Sequence, residues 1–493
     1  MQQASEDSAS QAIPDLTFGI ELELILIGDG QEMKQQLYGS GAPAFDALFH
    51  SKGRQLVHRV LSTNSVEAVV NGFTSRDNIG GPMSERYQKW TVGPEPTVRL
   101  SNDEELLLPN GFIAEAIELK SPIFSLQDQD YWRGEINHVL STLQNNLNSG
   151  QGLCPSVRLL VNETCAFHVH VGKSADASRI FTLRTIGNLY QLATGFERVI
   201  DEFHSADRIK ESTWAEPTVD MVDQNGYIKI PLFTPPSSGW KRDADPDVSD
   251  DGTPLTWCKV IEDLTAGSND PNHVVTLNRA LQRLTGGSRL VAYNLDNCLV
   301  PDLWPLPAYR GTNVGASGST THFHPHDPQR AFNTWTIEFK QHGGTLDVRT
   351  VFAWVDVVTA MTGLAEHCAD GGFLEREELH DILESHAEDA SFGPAEFLED
   401  VLKVSEDTQE YYAWVWQRSW NDIDPALAAS NTYPARMLLR HNAVQNADLR
   451  SRAAVVIELD YKLRSKQYGM FKSETKRAMK DAMKVKLRAA GVV

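Results

Sequence analysis

Four short segments of this chain carry ionisable residues at a spacing that suits metal and phosphate chemistry. Residues 18–27 hold Glu21 and Glu23, and residues 112–119 hold Glu118. Residues 167–172 read Phe-His-Val-His-Val-Gly, with His168 and His170, and residues 333–342 hold Glu338, Lys340 and His342. Side chains of a β-strand alternate between its two faces, so residues two apart share a face. On that rule Glu21 and Glu23 lie side by side, opposite Ile20, Leu22 and Leu24. His168 and His170 lie together opposite Phe167, Val169 and Val171. Glu338, Lys340 and His342 lie opposite Ile337, Phe339 and Gln341. Taken singly, each pattern is ordinary on a solvated strand, and a Glu-x-Lys pair there has little energetic weight. Taken together they point to a site, because all four segments are otherwise very apolar.

Two carboxylates ~4 Å apart repel by about 4 kcal/mol at an effective dielectric near 20. Several on one surface therefore need protons or cations. Oxygen-rich sites with an occasional imidazole suit Mg²⁺ or Mn²⁺. Such ions would also let an acidic protein hold a polyphosphate.

An antiparallel sheet, packed by helices on one face and open on the other, would gather these groups. The remaining pattern supplies the helices and further strands. Residues 129–148 read as an amphipathic helix stopped by Gly150. Residues 156–161 and 290–295 read as strands. A long helix is predicted over 175–203, with Phe181, Leu189, Leu192 and Phe196 on its apolar side, and another near 44–61. A helix over 345–368 has Thr345 as its expected N-cap and Asp347 in its first turn. Residues 212–272, rich in Pro, Asp, Ser and Gly, read as a loop insertion. Residues 301–328 are irregular and hold His322, His324 and His326. Beyond Gly371 the chain reads as a charged helical extension, with a basic stretch at 472–488.

The formal net charge is −21, from 45 basic and 66 acidic residues. Such a surface repels nucleic acid and anionic membranes. The five cysteines form no CxxC pair and are odd in number, against a disulfide framework or a zinc ribbon. No signal-peptide pattern opens the chain, and no apolar run approaches the roughly 18 residues of a membrane span. The expectation is a soluble cytoplasmic protein: a disordered tip over 1–15, a catalytic domain over 16–368, and a helical extension over 369–493.

These residues resemble a known family. Phe18-Gly-Ile-Glu-Leu-Glu23, Glu118-Leu-Lys-Ser-Pro122 and Asn162-Glu-Thr-Cys-Ala-Phe-His-Val-His-Val-Gly172 are similar to blocks of the amidoligases. Glu197, Arg208, Tyr293-Asn294-Leu295, Thr336-Ile-Glu-Phe-Lys-Gln-His342, Gly344-Thr-Leu-Asp347 and Trp354 follow in the family's order. The resemblance covers roughly residues 18–367 and suggests a fungal-type member. It implies an α+β fold with a curved antiparallel sheet, like that of glutamine synthetase and glutamate-cysteine ligase. It also implies ATP-dependent amide formation between small-molecule or peptide carboxylates and amines. In that fold acidic and histidine strands surround two or three divalent ions. By resemblance Glu21, Glu23, Glu118, His168 and Glu338 are metal ligands, and His170, Asn294 and Lys340 meet the nucleotide. Lys340, Arg208 and Arg349 serve the transferred phosphoryl group or substrate.

Two departures from the family pattern stand out. Ala166 replaces a usual Gly. Lys340 replaces an Arg, exchanging a planar fork for a point charge. The second departure keeps open a degenerate, nucleotide- or partner-binding relative. A zinc hydrolase built on His168 and His170 also stays open, provided a third ligand joins them. The helical tail is open as a homo-oligomer contact.

Overall fold

The structure, a computed structural model, describes residues 15–39, 52–70, 87–150, 152–173, 181–200, 203, 204, 208, 293–294, 336–370, 379, 381–383, 385 and 392–417. The N-terminal tip, the 212–272 insertion, the histidines at 322, 324 and 326, the basic stretch at 472–488 and most of the C-terminal extension lie outside the described residues.

The chain opens with strand β1 (Thr17–Asp29), whose burial alternates up to Glu21 and is then almost continuous. Asp29 ends it by capping helix α1 (Gly30–Tyr38), accepting from the amides of Gln31 and Glu32. Helix α2 (Lys52–Thr63) and strands β2 (Ala68–Val70) and β3 (Trp90–Pro94) follow. The short helix α3 (Asn102–Glu105) starts in a capping box, Ser101 with Glu104. Strand β4 (Phe112–Lys120) leads to β5 (Phe124–Ser125) and helix α4 (Gln129–Leu143), which ends in a π-turn over Gln144–Asn148. Gly150, at φ +70°, then turns the chain back, as its position in the sequence predicts.

Strands β6 (Arg158–Leu160) and β7 (Ala166–Gly172) come next, then helices α5 (Leu183–Gly195) and α6 (Glu197–Ile200). Strands β8 (Tyr293–Asn294) and β9 (Ile337–Gly343) precede the long helix α7 (Val348–Asp370). Helix α8 (Glu406–Gln417) is the last described element.

The nine strands among the described residues form one open sheet, in the order β2-β3-β4-β1-β7-β9-β8, with β5 and β6 also paired to β1. Every pairing is antiparallel except that of β2 with β3. The fold is therefore α+β, as expected.

Helices pack on the apolar face of β1. Trp132 of α4 stands edge-on to Phe18 at 5.1 Å and to Phe352 of α7 at 5.5 Å, joining strand to both helices. Trp132, Trp354, Phe18, Phe167 and Phe339 are all under 2% exposed. Each such side chain contributes roughly 2–3 kcal/mol by leaving water. Helix α7 is also long and apolar enough to cross a membrane by composition, a property the count of apolar runs did not pick up. Here it fills the core instead, with Val351, Trp354, Val355, Val358 and Met361 fully buried.

Two expectations are corrected. Asp347, rather than Thr345, caps α7. Its carbonyl accepts from Val351 and its carboxylate from the Arg349 amide, while Thr345 accepts from the Asp347 amide one turn earlier. His342 does not share a face with Glu338. The pairing of β7 with β9 shifts register between Phe167 and Val169, so that His342 falls opposite Phe167. One extra residue in β9 reverses the alternation beyond it. The His342 ring then sits 5.5 Å from Phe167 and 5.8 Å from Trp354, on the helix-packed side.

Candidate active site

The polar face of the sheet is built by the four strands whose polar residues stood out, and they are adjacent: β4, β1, β7, β9. Register completes the convergence. Glu23 pairs with Glu118 and Glu21 with Lys120 across β1 and β4. Glu21 pairs with His168 across β1 and β7. His170 pairs with Glu338 across β7 and β9. Directly opposed residues on one face bring their side chains into contact range.

Glu21 is central. Its Oε1 accepts from Lys120 Nζ at 2.6 Å and lies 3.4 Å from His170 Nε2, while its Oε2 lies 3.4 Å from His168 Nδ1. Glu338 Oε1 lies 3.5 Å from His168 Nδ1, 3.7 Å from His170 Nε2 and 3.4 Å from Lys340 Nζ. Glu23 is held by the Ala166 amide at 2.8 Å and lies 3.8 Å from His168 Nε2. Glu118 accepts from Lys120 at 2.9 Å. His170 Nδ1 is 3.3 Å from the Thr336 hydroxyl. Glu23, Glu118 and Glu338 are each no more than 9% exposed, so this is no solvated strand face.

The surroundings split the carboxylates into two kinds. Burial opposes ionisation of Glu21, but the charges of His170 and Lys120 outweigh it and hold its carboxyl well below the usual range. Burial likewise opposes Glu338, and His170, His168 and Lys340 together lower it. Burial pushes Glu23 up. Burial, reinforced by the neighbouring Glu21 charge, takes Glu118 to about 8. Burial opposes charge on His170, but contact with Glu21 and the nearby Glu338 raise it. One end of the cluster is thus firmly anionic and the other readily holds a proton.

The donor set fits a divalent cation. Ligand atoms of Glu21, His170 and Glu338 all lie within 4.8 Å of one another. Four carboxylates, of Glu21, Glu23, Glu118 and Glu338, share this face with the ammonium groups of Lys120 and Lys340. Oxygen ligands with one imidazole suit Mg²⁺ or Mn²⁺. His170, expected beside the nucleotide, belongs geometrically with the ligand group.

Residues 14–225 match a family model described as "Putative amidoligase enzyme". This part of the chain is similar to the amidoligases. No curated protein and no solved structure matches the chain. The matched segment supplies Glu21, Glu23, Glu118, His168 and His170. Glu338 and Lys340 lie far beyond it in sequence, and the pairing of β9 with β7 brings them back beside it.

Three expected site residues stand differently. Asn294 pairs with Glu338 across β8 and β9. Arg208 is 3% exposed and donates to the main-chain carbonyls of Cys165 and Glu163, the latter at 3.3 Å. Its charge reaches Glu23, but it secures the turn before β7 rather than facing open space. Arg349 is not brought to the cluster. It pairs with Asp347 at 3.0 Å and lies over the Trp414 ring at 4.7 Å, in the helical layer.

Lys120 and Glu95 were missed by the sequence reading. Glu95 adds its negative charge near Glu23 and Glu118 from the end of β3. Lys120 follows Glu118 by two residues, so the alternation rule would have found it. Ending the strand at Leu119 hid it.

Proposed function

We propose that this protein is an ATP- and divalent-metal-dependent carboxylate–amine ligase with a fold like that of glutamine synthetase. One observation carries the reading: two carboxylates and an imidazole from three separate strands meet on one sheet face, their ligand atoms within 4.8 Å of one another. The amidoligase match and the open, mostly antiparallel sheet support it. The substrates would be small-molecule or peptide acids and amines.

In the proposed reaction a substrate carboxylate oxygen attacks the γ-phosphorus of ATP. The P–O bond to ADP breaks and an acyl phosphate forms. An amine then attacks the acyl carbon, and inorganic phosphate leaves with the C–O electron pair. The amine gives up a proton, for which the carboxylates of the same face are the acceptors at hand. Glu21, His170 and Glu338 would hold the ion, which when bound supplies charge neutralisation for the polyphosphate. Lys340, poised beside Glu338, would meet a phosphoryl oxygen as a point charge.

The test is ADP release with Mg²⁺ over pools of amino acids and polyamines, run beside Mn²⁺ binding. Glu338→Ala should abolish both signals. Undiminished metal binding and turnover in that variant would overturn the reading. Lysine at position 340, where the family pattern has Arg, favours one alternative, a nucleotide-binding pseudoenzyme. Nucleotide binding without ADP release under every acid and amine tried would select it.

A further inference from the structure

We propose that Lys120 is a built-in counter-ion standing where a second divalent ion would sit, so that the site takes a single ion. This rests on the metal-binding reading above. It departs from the two or three ions that resemblance alone implies.

The polar face has two carboxylate-rich ends. At one end Glu21, His170 and Glu338 converge, the one group of three such ligand atoms within 4.8 Å among the described residues. At the other end Glu118 faces Glu23 across β4 and β1, beside Glu21. A second ion shared by Glu21 and Glu118 would occupy the gap between their carboxylates. That gap holds the Lys120 ammonium, 2.6 Å from Glu21 Oε1 and 2.9 Å from Glu118 Oε1. These are contact distances for a charge-assisted hydrogen bond. Mg²⁺ binds carboxylate oxygens at roughly 2.0–2.1 Å, so ion and ammonium exclude each other from one gap.

The lysine is not a passing neighbour. Its backbone is paired on both sides, to Glu21 of β1 and Thr91 of β3, and its side chain is only 34% exposed. The Glu23 carboxylate is already turned toward the Ala166 amide, 2.8 Å away. A fixed ammonium therefore does for Glu21 and Glu118 what a second metal would do, with one charge instead of two.

Counting Mn²⁺ bound to the full chain without nucleotide, by electron paramagnetic resonance of the free ion, tests this. Wild type should bind one ion per chain. Lys120→Met should bind two, Lys120→Arg one, and Lys120→Met with Glu118→Gln one again. Circular dichroism checks folding, and Lys120→Gln replaces Lys120→Met should the latter fail to fold. Two ions in wild type, or one in the folded neutral variant, would overturn the proposal and leave the metal reading standing. No ion in wild type would sink both.

Discussion

Lowering the pH should destabilise this protein through one half-buried imidazole, that of His342. The bulge in β9 turns this ring into the aromatic layer of Phe167, His204 and Trp354. Its Nδ1 lies 2.7 Å from the Gly343 carbonyl, so Nδ1 carries the proton of the neutral ring. Burial lowers its pKa from 6.5 to about 4. The sign follows from linkage. Below about 6.5 the unfolded chain binds a proton that the folded chain refuses. The stabilisation is complete above 6.5 and is lost as the pH falls toward 4. Between pH 7.5 and 4.5 the folded state should lose roughly 2.5 kcal/mol from this group alone. Carboxylates also titrate in that interval, so the assay is a difference. Urea unfolding at both pH values is compared between wild type and His342→Phe, which keeps a ring in the aromatic layer. The variant should lose about 2.5 kcal/mol less than wild type over the same interval. Parallel losses would refute the burial of a neutral His342.

Lys340→Arg should keep or raise ADP release, whereas Lys340→Met should lower it by about 10²-fold, the scale of one lost transition-state donor; initial rates under saturating Mg²⁺ decide. Gly344→Ala should destabilise by about 1–3 kcal/mol in urea unfolding, because the added carbon would meet Cys165 Cβ at 2.5 Å. Combining it with Cys165→Gly should cost less than the sum of the two, and strict additivity would count against the clash. Asp356→Ala should cost about 2–3 kcal/mol, since its carboxylate accepts from Arg133 at 2.9 Å, Thr408 at 2.7 Å and Ser405 at 3.2 Å and so ties α4 and α8 to α7. Thermal unfolding followed by circular dichroism would show an unchanged midpoint if those contacts carried no weight.

Much of the site was legible before any coordinates. The two-residue period told which side chains share a face, and it correctly grouped Glu21 with Glu23 and His168 with His170. That rule depends only on strand geometry, so it needs no partner. It failed at His342, because a bulge is created by the pairing of two strands and leaves no mark in the periodicity of one. It left out Lys120 because a strand's last residue is decided by the neighbour that pairs with it, here Glu21 and Thr91. Arg349 looked like a phosphate ligand by position, but its helix packs in the helical layer and Asp347 and Trp414 claim its guanidinium.

The sequence by itself determined the elements and their polar faces: four apolar strands, each with acids or imidazoles on one side, and helices to cover the other. Only the tertiary structure decided that β4, β1, β7 and β9 are neighbours and that β9 returns from far along the chain to place Glu338 beside His170. The physical reason is range. Alternation and capping are settled within a few residues, whereas strand order and register are settled by burying apolar faces between segments distant in the chain.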